Sequence, residues 1–300
     1  MTVRTRNRLI ALSIVAAPFI FLLCLLLFWD AEPLPPVPPL PSPNGYNDLV
    51  KAGQMITGDV WNYDEMGQSE LRATAQSNSN AIQLARTGLQ EKCRVTLDYS
   101  VTSTAHLDQL TALKRLAQAF AAQGRLAEME KRPADAVQSD LDMIRLANDS
   151  ASGGVIIDQL VGIAIEAIGV ANLQKVIDQL DTKTCRDTAA TLETLDSQRQ
   201  TWPEVMQQER DWSRRTFPGI RNELGRLMSR NTLNKVYQNA EQRFEEQQSK
   251  TRQLIIEFAA RAYELDKGHR PGNITDLVPD YLKAIPQDPL TGTNMVYLPK

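Results

Sequence analysis

Histidine is scarce in this chain, and the common catalytic motifs are missing. The 300 residues include two histidines, His106 and His269, and neither has a second metal ligand at helical spacing. The HExxH pattern of zinc hydrolases, the GxSxG nucleophile elbow, the P-loop and the dinucleotide-binding GxGxxG are all absent. We therefore expect no metal and no cofactor, and the sequence identifies no catalytic residues.

A net positive charge is also lacking over most of the chain. Arg4, Arg6 and Arg8 are the only charges in the first 29 residues and the net charge is −3, so the remaining residues carry −6. Proteins that bind nucleic acid contact phosphates with lysine and arginine clusters, and an acidic body has no such surface. We expect no nucleic-acid partner.

An uncharged run of 21 residues extends from Leu9 to Trp29. A helix of that length spans about 31 Å, the thickness of a bilayer core. Arginines precede the run, and Asp30 and Glu32 follow it. The positive-inside rule then predicts a cytoplasmic tail (1–8), a transmembrane helix (9–29) and an extracytoplasmic remainder, anchored in the inner membrane by one span. The alternative is a cleaved signal peptide, but residues 28–31, FWDA, suit a cleavage site poorly.

Seven prolines lie among the eleven residues 33–43, PLPPVPPLPSP. Proline favours the extended polyproline II form, which would make a semi-rigid spacer of roughly 34 Å. We interpret residues 30–44 as a linker that holds the following domain away from the membrane. The alternative is a ligand for a proline-recognising domain.

Residues 45–265 have apolar positions at helical rather than alternating spacing. We predict an all-α domain, either a multi-helix bundle or a short TPR-like solenoid. The most apolar stretch, Val155 to Leu180, contains Asp158 and Glu166, so we interpret it as a buried core helix rather than a second span. The other predicted helices cover Tyr46 to Ile56, Glu70 to Lys92, His106 to Met129, Ala134 to Leu146, Thr184 to Gln200, one beginning near Pro203, and a long region from Ile220 to Lys267.

One predicted helix pair, Phe120 to Ala147, weakly resembles a tetratricopeptide repeat. Gly124 and Ala136 are twelve residues apart, as the two small packing positions of that repeat are. Ala127 and Asp140 depart from the pattern, and no second copy is evident. Ordinary helix pairing is therefore the competing interpretation.

Proline also restricts the backbone of the C-terminal segment, residues 266–300. There we expect a short helix, turns and a closing extended stretch at Met295 to Tyr297. This segment resembles the C-terminal part of the major pseudopilins of type II secretion. It matches that pattern at Pro271, Leu277, Tyr281, Leu282, Pro286, Asp288, Pro289, Gly292 and Tyr297. The pseudopilin leader and calcium loop are not matched, so no calcium ligands are implied. The segment is either a cap on the helical domain or a docking motif.

A second resemblance involves both this tail and the stretch that begins at Leu84, LARTGLQEKCRVTLD. Together they are similar to uncharacterised, membrane-anchored helical proteins of some bacteria, and that resemblance implies no activity.

Cys93 and Cys185 would both lie in an oxidising compartment, where they either form a disulfide or remain two buried thiols. Glu166, a charge in the most apolar helix, should pair with an arginine in the core. The cluster Glu209 to Trp212 predicts an interhelical ion pair or part of a groove.

These features favour a non-enzymatic interaction or scaffold protein of the cell envelope, with other envelope proteins as partners. Two alternatives stay open. An envelope hydrolase would require carboxylates such as Glu166 and Glu209 to converge in one cleft. A secretion-system accessory would depend on the tail.

Overall fold

We analysed a computed structural model, which describes residues 34–100, 104–218 and 230–297, with positions 17, 18, 20 and 21. The predicted membrane helix thus falls almost entirely outside the described residues. Within them the regular structure is helical, and there is no β-strand. The helices are α1 (Gly45–Met55), α2 (Gln68–Ser77), α3 (Ser79–Gly88), α4 (Ala105–Met129), α5 (Pro133–Ala151), α6 (Ile156–Val176), α7 (Thr182–Ser197), α8 (Trp202–Thr216) and α9 (Arg230–Lys267), with short 3₁₀ helices at Ile177–Gln179 and Ile274–Leu277. The all-α prediction is confirmed for these residues.

The predicted single helix from Glu70 to Lys92 is wrong, because the chain breaks at Asn78 into α2 and α3. The side chain of Asn78 is almost fully buried. Its Oδ1 accepts a hydrogen bond from the amide of Thr57 at 2.8 Å, and its Nδ2 donates to the carbonyls of Thr57 and Thr74. Asparagine competes well for backbone groups in this way, which ends helices and satisfies the loop that crosses them.

A first hydrophobic core lies between α1, α3 and α4, with contributions from α2, α5 and α6. Glycines let its helices come unusually close. A Cβ atom added to Gly53 of α1 would lie 2.2 Å from the backbone oxygen of Ala112 in α4, so no larger residue fits at that crossing. Phe120 and Leu116 of α4 are completely buried in the same core.

A second core lies between α5, α6, α7 and α9. By length and composition, one helix among the described residues could cross a membrane, and it is the mid-chain segment Ile156–Gln179, with a mean hydropathy of 1.6. In the structure it packs against α5 and α9, and 61% of its most apolar window is buried inside the protein. These contacts support its interpretation as a core helix.

The helix pair α4–α5 packs closely at Gly124, as its small residues predicted. A Cβ atom there would lie 3.4 Å from Asp140 Oδ1 and 3.7 Å from the carbonyl of Ala136. Such an approach is common to many helix pairs, so the TPR-like arrangement stays a prediction.

The C-terminal segment folds back on the second core. Leu277, Tyr281 and Leu282 are buried there, and Arg186 of α7 lies over the ring of Tyr281 at 4.3 Å. These contacts favour the cap interpretation over the docking motif. The remaining matched positions shape the segment: Pro271 is buried, Pro286, Asp288, Pro289 and Tyr297 are partly buried, and Gly292 closes a turn onto the carbonyl of Asp288 with φ of 70°.

The predicted extended stretch at Met295 to Tyr297 does not form a strand. Among the described residues, its one backbone pairing is a hydrogen bond from the amide of Met295 to the carbonyl of Pro286, next to an isolated bridge between Gln287 and Asn294. The prolines at 286 and 289 cannot donate backbone hydrogen bonds, which prevents a longer ladder from forming.

Candidate functional site

Glu166, the unusual charge of α6, pairs with an arginine, as the sequence predicted. Glu166 is 1% exposed, and both of its oxygens accept from Arg199, with 2.9 Å between Oε2 and Nη1. Thr251 of α9 donates a further hydrogen bond to Oε1 at 2.7 Å. The pair therefore joins α6, the end of α7 and α9.

Glu209 lies elsewhere, so the condition for the carboxylate hydrolase is not met. Its Oε2 accepts from the amide of Ile156 at 3.0 Å, where it stabilises the start of α6. Burial raises the pKa of Glu209. With Trp212 it lines an apolar cavity of about 510 Å³, whereas Glu166 lines a separate, polar one.

The two histidines are not brought together. Nε2 of His106 lies 2.9 Å from Oδ1 of Asp158, whose other oxygen accepts from the amide of Val155 and so caps α6. The distance suits an ion pair, although the geometry is not that of a directed hydrogen bond. This contact raises the pKa of His106 more than burial lowers it. His269 is exposed in a turn, and the described residues contain no metal-ligand cluster.

The two cysteines outside the predicted anchor are both free thiols. Cys93 packs against the first core, and Cys185 is fully buried in the second. Of the two alternatives, a disulfide and a pair of free thiols, the structure therefore has the second. Burial raises the pKa of Cys93 to about 12 and that of Cys185 to about 11, so neither thiol is activated as a nucleophile.

A polar cavity of about 570 Å³ lies between α8 and the body of the bundle. Helix α8 packs lightly on α6, and its glutamines and acids face the ends of α5, α6 and α7 across the gap. We refer to this space as the polar cavity. Its charged and amide-bearing residues are Arg94, Asn148, Asp149, Gln159, Glu166, Gln198, Arg199, Gln200, Glu204, Gln207, Gln208 and Asp211.

The backbone of Arg94 is fixed at one wall of the polar cavity. Its amide donates to Asn44 Oδ1 at 3.0 Å, and its carbonyl accepts from Asn44 Nδ2 at 2.8 Å. Its side chain lies directly on Gly153, where an added Cβ would be 2.9 Å from Arg94 Cγ. Gly153 also has φ of 68°, which favours glycine, and its amide donates to Gln200 Oε1 at 3.1 Å. The guanidinium itself has no hydrogen bond or ion pair to any described residue.

Asp149, in the last turn of α5, forms part of the same cavity wall. Its carboxylate is half-buried and likewise lacks a hydrogen bond within the described residues. Burial raises its pKa to about 7, against the opposing effect of Arg145 one turn earlier.

The other carboxylates of the polar cavity already have partners. Glu204 accepts from the amide of Thr201 at 2.8 Å, which caps α8. Asp211 accepts from Gln207 Nε2 at 3.0 Å, and Glu166 is bound by Arg199. Asp149 is therefore the acid on this wall whose carboxyl group has no hydrogen-bond partner among the described residues.

The sequence did not identify the polar cavity. The cavity forms only where Asn44, Arg94, Gly153 and Gln200 meet, and these residues are distant from one another in the chain. The one local signal is the pair Gly153-Gly154 before an apolar helix, which is common in ordinary turns.

Comparison with known proteins found no matching family model, no matching curated protein and no matching solved structure.

Proposed function

We propose that this chain is a membrane-anchored binding protein of the cell envelope, which uses the polar cavity to recognise a partner. The run Leu9 to Trp29 anchors the chain in the inner membrane with its N-terminus in the cytoplasm, and the helical domain lies outside the cytoplasm. The flanking charges and the length of the run support this placement.

The observation that carries the proposal is the pair of charges without partners in the polar cavity. A half-buried charge loses much of its hydration, and a structural ion pair ordinarily compensates for that loss. Glu166 and Arg199 follow this rule, whereas Arg94 and Asp149 do not. Groups held in position without a structural partner favour recognition of a ligand over a purely structural role.

The linker contacts the helical domain beside the polar cavity. The carbonyl of Pro35 accepts a hydrogen bond from Arg215 of α8, and Val37, Pro38 and Leu40 line a small cavity beside Arg94. The second half of the linker thus lies along the domain next to the polar cavity. We propose that it holds this face of the domain in a fixed orientation, in addition to acting as a spacer.

The test is mild crosslinking in native membranes, followed by identification of the proteins that co-purify with the chain. We would compare the natural chain with Gln208→Trp, which fills the polar cavity, and with Gln83→Trp, at an exposed position of α3 outside it. The proposal predicts a stoichiometric partner that Gln208→Trp loses and Gln83→Trp keeps. A partner retained by both variants, or no partner at all, would contradict it.

A further inference from the structure

The polar cavity offers one cation and one acid that the protein itself leaves without partners. Arg94 lies at the connection between α3 and α4, and Asp149 lies at the end of α5. No ion pair joins them, so each can take a separate group of opposite charge. A ligand that recovers both charges must therefore carry a carboxylate or similar anion and also an ammonium or guanidinium.

Most of the remaining polar side chains of the wall are carboxamides. Gln159, Gln200 and Gln207 already have hydrogen bonds within the protein. The side chains of Gln198 and Gln208 line the cavity without one among the described residues, and a carboxamide both donates and accepts hydrogen bonds. Peptide groups have the same pairing of one donor and one acceptor. The cavity wall includes no tryptophan, tyrosine or phenylalanine among the described residues, so it lacks the flat aromatic surface on which bases stack.

From this arrangement we infer that the polar cavity binds a peptide segment carrying an anionic and a cationic group, with the anion on Arg94 and the cation on Asp149. This inference rests on the proposed binding function and adds the class of ligand. The two charges can come from the termini of a free short peptide or from acidic and basic side chains in a loop of a protein partner.

The rigidity of the Arg94 site also favours recognition. The Asn44 side chain bonds both backbone groups of Arg94, and the amide of the next residue, Val95, donates to the carbonyl of Ser152 at 2.9 Å. Gly153 leaves the space in which the arginine stem lies. The fixed backbone and the packed stem reduce the conformational freedom that Arg94 still has to lose when its guanidinium binds an anion, which increases affinity.

Binding of three synthetic peptides to the full-length protein in detergent, measured by isothermal titration calorimetry, tests the inference. Ala-Ala-Ala carries its charges on the termini, and N-acetyl-Lys-Ala-Glu-amide carries them on side chains. N-acetyl-Ala-Ala-Ala-amide is uncharged and serves as the reference. We expect at least one charged peptide to bind at least tenfold more tightly than the uncharged one, and the peptide that binds identifies the source of the charges.

Two substitutions and two matched controls locate the site. Arg94→Gln and Asp149→Asn should each weaken binding of the charged peptide about tenfold, the usual effect of removing a hydrogen bond to a charged group. Lys92→Gln, exposed and outside the cavity, and Asp135→Asn, in α5 at a different surface, should leave binding unchanged. Circular dichroism checks that all four variants fold.

Equal binding of charged and uncharged peptides, or no binding of either charged peptide, would overturn the inference. So would unchanged affinity in both Arg94→Gln and Asp149→Asn. If no peptide binds but Gln208→Trp still loses its co-purifying partner, the binding function stands and the ligand class is wrong. If a charged peptide binds through Arg94 and Asp149 but no membrane partner is found, the ligand class stands and a protein partner is not the source.

Discussion

Removal of the Glu166 carboxylate should strongly destabilise the helical domain. In Glu166→Gln the guanidinium of Arg199, which is 8% exposed, loses its counter-charge and one of its two acceptor oxygens, and it stays in the core. The nearest remaining acid is Asp196, at 3.8 Å from Arg199 Nε, which replaces the lost pair only in part. Breaking a buried ion pair by removing one partner typically costs about 3–5 kcal/mol, because it leaves an uncompensated charge.

A double variant separates the ion pair from general packing damage. Glu166→Gln combined with Arg199→Met removes both charges and keeps roughly the same volume, so it should recover most of the free energy of unfolding lost in Glu166→Gln alone. Asp187→Asn is the surface control, since its partner Lys183 is fully exposed, and it should hardly change stability.

The measurement is urea unfolding of the purified chain in detergent, monitored by tryptophan fluorescence. A loss below about 1 kcal/mol in Glu166→Gln would mean that the pair contributes no more than an exposed one, contrary to this prediction. A double variant no more stable than the single one would also refute it, since the cost would then come from lost packing and not from the unpaired arginine.

Three further predictions can be checked on the same preparation. His106 has a raised pKa in the folded chain, so its ion pair should stabilise the fold fully below about pH 6.5 and lose that effect as the pH rises through the pKa of the folded state. The difference in free energy of unfolding between the natural chain and His106→Gln should shrink over the same range. A difference that does not depend on pH would contradict this. Gly153→Ala should reduce the free energy of unfolding more than Gly58→Ala, because both glycines have positive φ but only Gly153 lies against Arg94; equal losses would contradict the clash. Both cysteines outside residues 9–29 should be alkylated only after denaturation, without reductant, as mass mapping would detect; a disulfide-linked peptide would contradict this.

The helix pattern was predictable because apolar spacing and proline positions are local signals. The sequence predicted α4, α6 and α7 to within a few residues, since each has a continuous apolar face and a clear start or end. The break between α2 and α3 was not predictable, because it depends on Asn78 reaching Thr57 in a loop that the chain forms earlier. An asparagine within a helical pattern gives only a weak signal for such a break.

The buried ion pair was predictable in kind but not in identity. A glutamate in the most apolar helix must be compensated, and arginine is the residue that can do so with two hydrogen bonds. Which arginine serves depends on how the end of α7 crosses α6, 33 residues along the chain from Glu166 to Arg199. Local patterns do not contain that crossing.

The candidate site was beyond local sequence reasoning for a related reason. Arg94 and Asp149 are ordinary surface residue types, and nothing nearby in the sequence marks them. What distinguishes them is that neither has a structural partner among the described residues. This becomes evident only when α5, α7 and α8 are assembled around them.

The most direct test of the account is photo-crosslinking from inside the polar cavity. A photo-reactive amino acid would replace Gln208 in the cavity wall, or Gln83 on α3 as the control, and the cells would be irradiated before the membranes are isolated. We expect a discrete crosslinked product from position 208 alone, and we expect it to disappear when Arg94→Gln and Asp149→Asn are combined. The same products from both positions, or none from position 208, would contradict the claim that this cavity is where the protein recognises its partner.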